Sequence, residues 1–261
     1  MATFTDKEID HIIKRAVNEW RRRPIDPNAA PVTSPDQPVV DSQLDPLDDE
    51  NNPNVPKGGT WGVTGAGMTP AQFRERFGKP GLAKSASGRI KSPEVKKVVD
   101  RARHVEPDAY IAYSRGAAMY NSARQAGLDP NAPVTYVAPS SYRFYGDAPV
   151  PHATGGKVII GDRDKIVPYK QAAKTAVNAG LPMYVLPGKS HLGIMYSKGE
   201  VTPDSFEVDA EAVVEDPEMP DWGRKGGASE DQYLKQKELV KQHIKQEAYL
   251  RKFVSVVLKG L

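Results

Sequence analysis

Residues 108–127 read DAYIAYSRGAAMYNSARQAG, an apolar run that passes without a spacer into a helix of small residues. Residues 108–114 have the aromatic and aliphatic density of a buried strand, and 115–127 the spacing of a helix. Ser114 stands at the junction. A side chain there is held on a tight turn, and strand and helix can approach closely only if small residues lie two before and two after it. Ala112 and Gly116 meet that condition. The turn puts the Ser114 Oγ at the carboxyl edge of the sheet and the positive end of the helix. It also aims the Arg115 backbone N–H at any oxyanion forming beside that oxygen.

The same alternation extends to both sides. Strands are expected at 60–65, 134–139, 157–161 and 182–188, with helices at 70–78, 92–105 and near 168–179. Strands that alternate with helices in this way predict an α/β fold, a parallel sheet with helices on both faces.

Two later strands end next to residues that complete a nucleophilic site. In GGKVIIGDRDKIVP (155–168) the strand ends at Gly161 and Asp164 follows three residues on, better placed than Asp162 to reach across the sheet top and orient an imidazole. In YVLPGKSHLGIM (184–195) the strand ends at Gly188, and His191 follows on a loop. Of the five histidines, His11 and His243 fall on charged helices, His104 near a helix end and His152 in a proline-rich loop. Only His191 follows the final strand of the alternating pattern.

The chain order Ser114, Asp164, His191, each after its own strand, resembles that of the α/β-hydrolase superfamily over residues 60–195. A-Y-S-R-G-A (112–117) is similar to its nucleophile elbow, with Ala at the first small position. G-D-R-D-K-I-V-P (161–168) and L-P-G-K-S-H-L-G-I (186–194) are similar to its acid and histidine segments. G-V-T-G-A-G (62–67) resembles the strand and loop that supply the second oxyanion donor, and the resemblance gives that role to the Ala66 backbone N–H, beside that of Arg115. It implies a serine esterase or lipase-like hydrolase with an acyl-enzyme intermediate, acting on an ester-type small molecule or a cell-envelope ester without metal or organic cofactor. The chain departs from the family in having few strands before the elbow. The segment 139–156, where many lipases insert a lid, is short, which implies an open or tail-covered cleft.

G-V-T-G-A-G also resembles the pyrophosphate turn of short-chain dehydrogenases. The glycines that should continue into the helix are replaced by Met68-Thr69-Pro70-Ala71, and the only Tyr-x-x-x-Lys pair, Tyr233 and Lys237, falls on a charged C-terminal helix.

The expected body is therefore 59–199, with appendages at both ends. Residues 1–23 form an amphipathic helix with a Thr5–Glu8 capping box, and it stops at Pro24. Residues 24–58 carry eight prolines and no periodicity, the mark of an extended tether. Residues 200–228 read as an irregular acidic linker. Residues 229–261 read as a long helix whose apolar second half packs on the body while its first turns face water. An anchor helix on a tether suggests docking to a protein partner, or a homo-oligomer, through residues 1–58. It also supports a second reading, a structural component of an assembly such as a phage particle that keeps a hydrolase-like scaffold.

Composition sets outer limits. The absence of cysteine excludes disulfides, thiolate metal sites and cysteine nucleophiles. A net charge of +3 with interleaved Lys, Arg, Asp and Glu argues against a nucleic-acid binder. No segment approaches the roughly 18 apolar residues of a membrane span, and the N-terminus lacks the pattern of a signal peptide. A soluble protein is expected, cytoplasmic or part of a larger assembly.

Overall fold

The computed structural model describes residues 52, 54–86, 89–140, 149–222 and 228–259, with side chains as far as residue 245 of the last helix. The expected N-terminal helix and nearly all of the tether lie outside the described residues, as does the middle of 139–156.

In chain order the elements are β1 (Thr60–Val63), α1 (Pro70–Phe77), α2 (Ser92–Val105), β2 (Ala109–Tyr113), α3 (Arg115–Gln125), β3 (Val134–Val137), β4 (Gly156–Gly161), α4 (Tyr169–Ala179), β5 (Met183–Leu186), a 3-10 turn (Gly193–Ser197), β6 (Phe206–Val208), α5 (Ala210–Glu215) and α6 (Glu230–Lys259). The six strands lie in one sheet in their sequence order. The first five are parallel, and β6 closes the edge antiparallel to β5. This is an α/β fold, a mostly parallel sheet with flanking helices.

Strand residues alternate between two cores, as the two-residue period of a strand requires. Trp61, Tyr110, Ala112, Val134, Tyr136, Val158, Ile160, Met183 and Val185 share one core with α2, α3 and α4. Ile111, Tyr113, Val137, Ile159 and Leu186 share the other with Phe73 and Phe77 of α1 and with Ile194 and Met195 of the 3-10 turn. The asymmetry follows from handedness. Parallel strands added one after another in one direction, each through a right-handed crossover, put the crossover helices on the same face. Among the described residues, the opposite face is left to α1 and a single short turn.

Three assignments differ from expectation. The stretch 200–228 is not wholly irregular: it contains β6 and α5, and Val208, Val213, Met219 and Trp222 are buried. Its acidic residues mask a sparse apolar set too short to register as a period. The first turns of α6 do not simply face water, because Tyr233, Gln236 and Val240 are buried. One residue per turn on one side is enough to seat a helix whose other positions are charged. The side chains of its second half lie outside the described residues. At the other end, Val55 is buried and the Asn52 carbonyl accepts from Arg101 Nη1 at 3.3 Å, so packing begins within the last residues assigned to the tether. Among the described residues no helix is long and apolar enough to cross a membrane.

Candidate active site

Ser114 connects β2 to α3 with φ 52° and ψ −121°, a conformation that costs a non-glycine residue about 1–3 kcal/mol. Hydrogen bonds on both sides hold it there. Its N–H donates to the Val137 carbonyl at 2.9 Å, and its carbonyl accepts from Ala117 N at 3.0 Å and Ser140 N at 3.1 Å. Ala112 beneath the turn is fully buried, and Gly116 lies against the end of β1. The turn therefore has the small-residue packing that its sequence calls for.

Asp164 follows β4 and is inaccessible to solvent. Its Oδ1 accepts from the backbone N–H groups of Ile166 at 2.8 Å and Val167 at 2.9 Å, which leaves Oδ2 to face His191 Nδ1 at 2.8 Å. His191 follows β5, and its Nε2 lies 3.0 Å from Ser114 Oγ. With Nδ1 donating to the carboxylate, Nε2 carries the lone pair and can accept from the serine hydroxyl. The ring rests on Tyr113, with centroids 5.3 Å apart, and the Tyr113 hydroxyl donates to the His191 carbonyl at 3.0 Å. Burial pushes the Tyr113 phenol well above its ordinary range, so it remains a donor. Asp162, the neighbour on the same loop, is likewise raised by burial.

Ala66 lies on the loop after β1, and Arg115 is the first residue of α3. Val63 pairs with Ala112 in the parallel register, so Ala66 and Arg115 each stand three residues beyond a paired position at the same sheet edge. Ala66 is exposed, while Gly65 before it packs on the Tyr113 ring.

Two groups at the site had no counterpart in the sequence reading. Ser140 Oγ lies 3.4 Å from Ser114 Oγ, brought in by the loop after β3. The Arg115 side chain is fully buried, with Nη1 donating to Ser85 Oγ at 2.5 Å and Nη2 to Glu94 Oε2 at 2.9 Å. The one available signal was an arginine among the small residues that begin α3. Glu94 also accepts from the backbone N–H groups of Ala86 and Lys91. Burial alone would raise the Glu94 carboxyl, but these backbone bonds and Arg115 outweigh it and hold it below the usual range.

A carboxylate lowered on folding stabilises the protein above its unfolded pKa, and that contribution disappears as pH falls through the folded value. Glu94→Gln is therefore expected to lower stability by about 3 kcal/mol near neutrality, because the buried guanidinium loses its counter-charge. The gap from wild type should narrow in acid. Denaturant melts at several pH values measure this, and a gap independent of pH would contradict it.

A groove of about 610 Å³ lies elsewhere, between α2 and α3, and is lined by Ile90, Val95, Val99 and Arg103 among others. It contains none of Ser114, Asp164 and His191.

Neither a protein-family model nor a curated protein matches the chain. Solved structures that resemble it include a YdeN-like hydrolase from Pectobacterium atrosepticum, with 15% identity, a TM-score of 0.42, and coverage of 57% of this chain and 85% of that one. A CIB-like hydrolase from Thermoplasma acidophilum is similar at 10% identity and a TM-score of 0.37, over 54% of this chain and 80% of that one. An alpha-beta serine hydrolase homologue from Coxiella burnetii is similar at 15% identity and a TM-score of 0.34, over 56% and 83% respectively. The likeness is one of fold, a mostly parallel sheet with flanking helices.

Proposed function

We propose that this chain is a serine hydrolase that cleaves an ester-type acyl bond through Ser114, His191 and Asp164. One observation carries the reading: the buried line from Ser114 Oγ to His191 Nε2 at 3.0 Å and from His191 Nδ1 to Asp164 Oδ2 at 2.8 Å. In this reading His191 takes the Ser114 proton as the hydroxyl attacks the carbonyl, and Asp164 stabilises the imidazolium that results. The backbone N–H groups of Ala66 and Arg115 bind the tetrahedral oxyanion, at the positive end of α3. His191 then returns the proton to the leaving alcohol, and water, activated in the same way, releases the acid.

An acyl substrate with an apolar part fits the surroundings. Ile166 and Leu192, on the loops of Asp164 and His191, are large apolar side chains left more than half exposed at 54% and 60%. They offer apolar contact surface on the two loops that carry the acid and the base, as ligand sites commonly do.

The test is labelling with a fluorophosphonate, which reacts with an activated serine. The folded wild type is expected to take up one label and Ser114→Ala none. Folded wild-type protein that stays unlabelled would sink the proposal.

A further inference from the structure

The C-terminal helix lies outside the 60–195 region that resembles a hydrolase, yet it touches the acid's loop repeatedly. Gln236, on α6, is buried to 1% exposure, and both ends of its amide are engaged. Its Oε1 accepts from Tyr169 N at 2.8 Å and its Nε2 donates to the Asp164 carbonyl at 3.5 Å. Tyr169 opens α4, whose N-cap position is Pro168 and has no capping side chain. A first-turn N–H for which the helix itself has no acceptor is met by a residue 67 positions away.

Four further contacts fall on the residues between. Ala228 N donates to the Lys165 carbonyl at 2.9 Å, and Trp222 Nε1 to the Ile166 carbonyl at 3.4 Å. Lys165 Nζ lies 3.1 Å from Glu230 and 4.2 Å over the Tyr233 ring. The loop that points Asp164 Oδ2 at His191 is thus gripped at both ends and along its length by Trp222, Ala228, Glu230, Tyr233 and Gln236.

We infer that Gln236 is a positioning residue for Asp164, and that Trp222 and α6 together clamp the loop that carries the acid. The inference rests on the proposed serine-hydrolase reading. The physical reason is that Asp164 acts only through its direction: it sets which ring nitrogen of His191 carries the proton. Its Oδ1 is tied to the Ile166 and Val167 N–H groups, so any rotation of the loop moves Oδ2 with it. A displacement of about 1 Å at such a group is enough to cost on the order of 100-fold in rate.

The experiment compares Gln236→Leu, Trp222→Phe and Leu234→Ala in the full chain. Leu234 is an exposed residue on the same helix and serves as the control. Two readouts are taken: kcat and KM on a short aryl ester, and the ring 15N shifts of His191, which report its tautomer. Gln236→Leu is expected to lower kcat 10- to 100-fold with KM within about twofold, and to mix the tautomer populations. Trp222→Phe should move both in the same direction by less, and Leu234→Ala should move neither.

A Gln236→Leu protein that melts earlier but keeps wild-type kcat and tautomer overturns the inference, because the residue would then serve packing alone. If Gln236→Leu does not fold, Trp222→Phe decides, and unchanged ring shifts in it overturn the clamp. If the wild type proves inactive, the serine-hydrolase reading fails, whereas the ring shifts still test whether α6 sets the His191–Asp164 geometry.

Discussion

Asp164→Asn is expected to reduce kcat by about 10⁴-fold while leaving substrate binding and the fold largely intact. The reason lies in the two backbone donors on the carboxylate. Ile166 N and Val167 N both point at Oδ1, so the asparagine amide must place its carbonyl oxygen there. Its NH2 group then takes the place of Oδ2 and faces His191 Nδ1, which lies 2.8 Å from Oδ2 in the native site. Nδ1 has to become an acceptor, the ring proton moves to Nε2, and Nε2 can no longer take a proton from Ser114. His191→Ala removes the base altogether and should cost roughly 10⁶-fold. The nearest oxygen left to Ser114 among the contacts described is the Ser140 hydroxyl at 3.4 Å, which is no base near neutral pH. Pre-steady-state acylation by an activated ester, together with the labelling rate of the fluorophosphonate, measures both variants. An asparagine variant that acylates within tenfold of wild type would refute the assigned role of Asp164.

The parts of this site legible in the sequence are those whose cause is local. Ala112, Ser114 and Gly116 share one turn, and that turn works only with small residues in those places. Asp164 and His191 each follow a strand end, so counting from Gly161 and Gly188 locates them. The illegible parts are held by distant partners. Nothing around Gln236 reports that its amide spans a loop 67–72 residues earlier, because a buried amide on a charged helix has the same local pattern as an exposed one. The burial of Tyr233 and Val240 escaped for a similar reason, since periodicity weights the strongly apolar end of α6 and misses a narrow stripe. The Arg115 side chain is held by Ser85 and Glu94, 30 and 21 residues earlier, so nothing beside it in the sequence reports its burial. Ser140 enters through the β3 loop, where a serine after a strand is too common to single out.

Gly116→Ala should be among the most damaging single-methyl additions in the chain. A Cβ built at Gly116 would stand 2.0 Å from the Val63 carbonyl oxygen, 2.8 Å from its carbon and 2.9 Å from the Thr64 oxygen. All three are backbone atoms, so no rotamer change relieves the clash. Either α3 or the end of β1 must move by about 1.5 Å, because carbon and oxygen in van der Waals contact sit about 3.5 Å apart. Overpacking of this kind costs about 3 kcal/mol when side chains can adjust, and here they cannot. For a body of this size that corresponds to a fall of roughly 6–12 °C in Tm. The displaced segment is also the one that leads into Ala66, so the same methyl should separate the two proposed oxyanion donors and reduce kcat by a further 10²- to 10³-fold or so. Gly155→Ala is the matched comparison, with its nearest atom, Pro133 Cβ, at an ordinary 3.6 Å. It is expected to melt within a degree or two of wild type and to keep full kcat. Thermal melts and kinetics on the two variants separate the cost of a methyl from the cost of this one. Equal behaviour of the two would mean that the close approach of β1 to α3 does not hold the elbow.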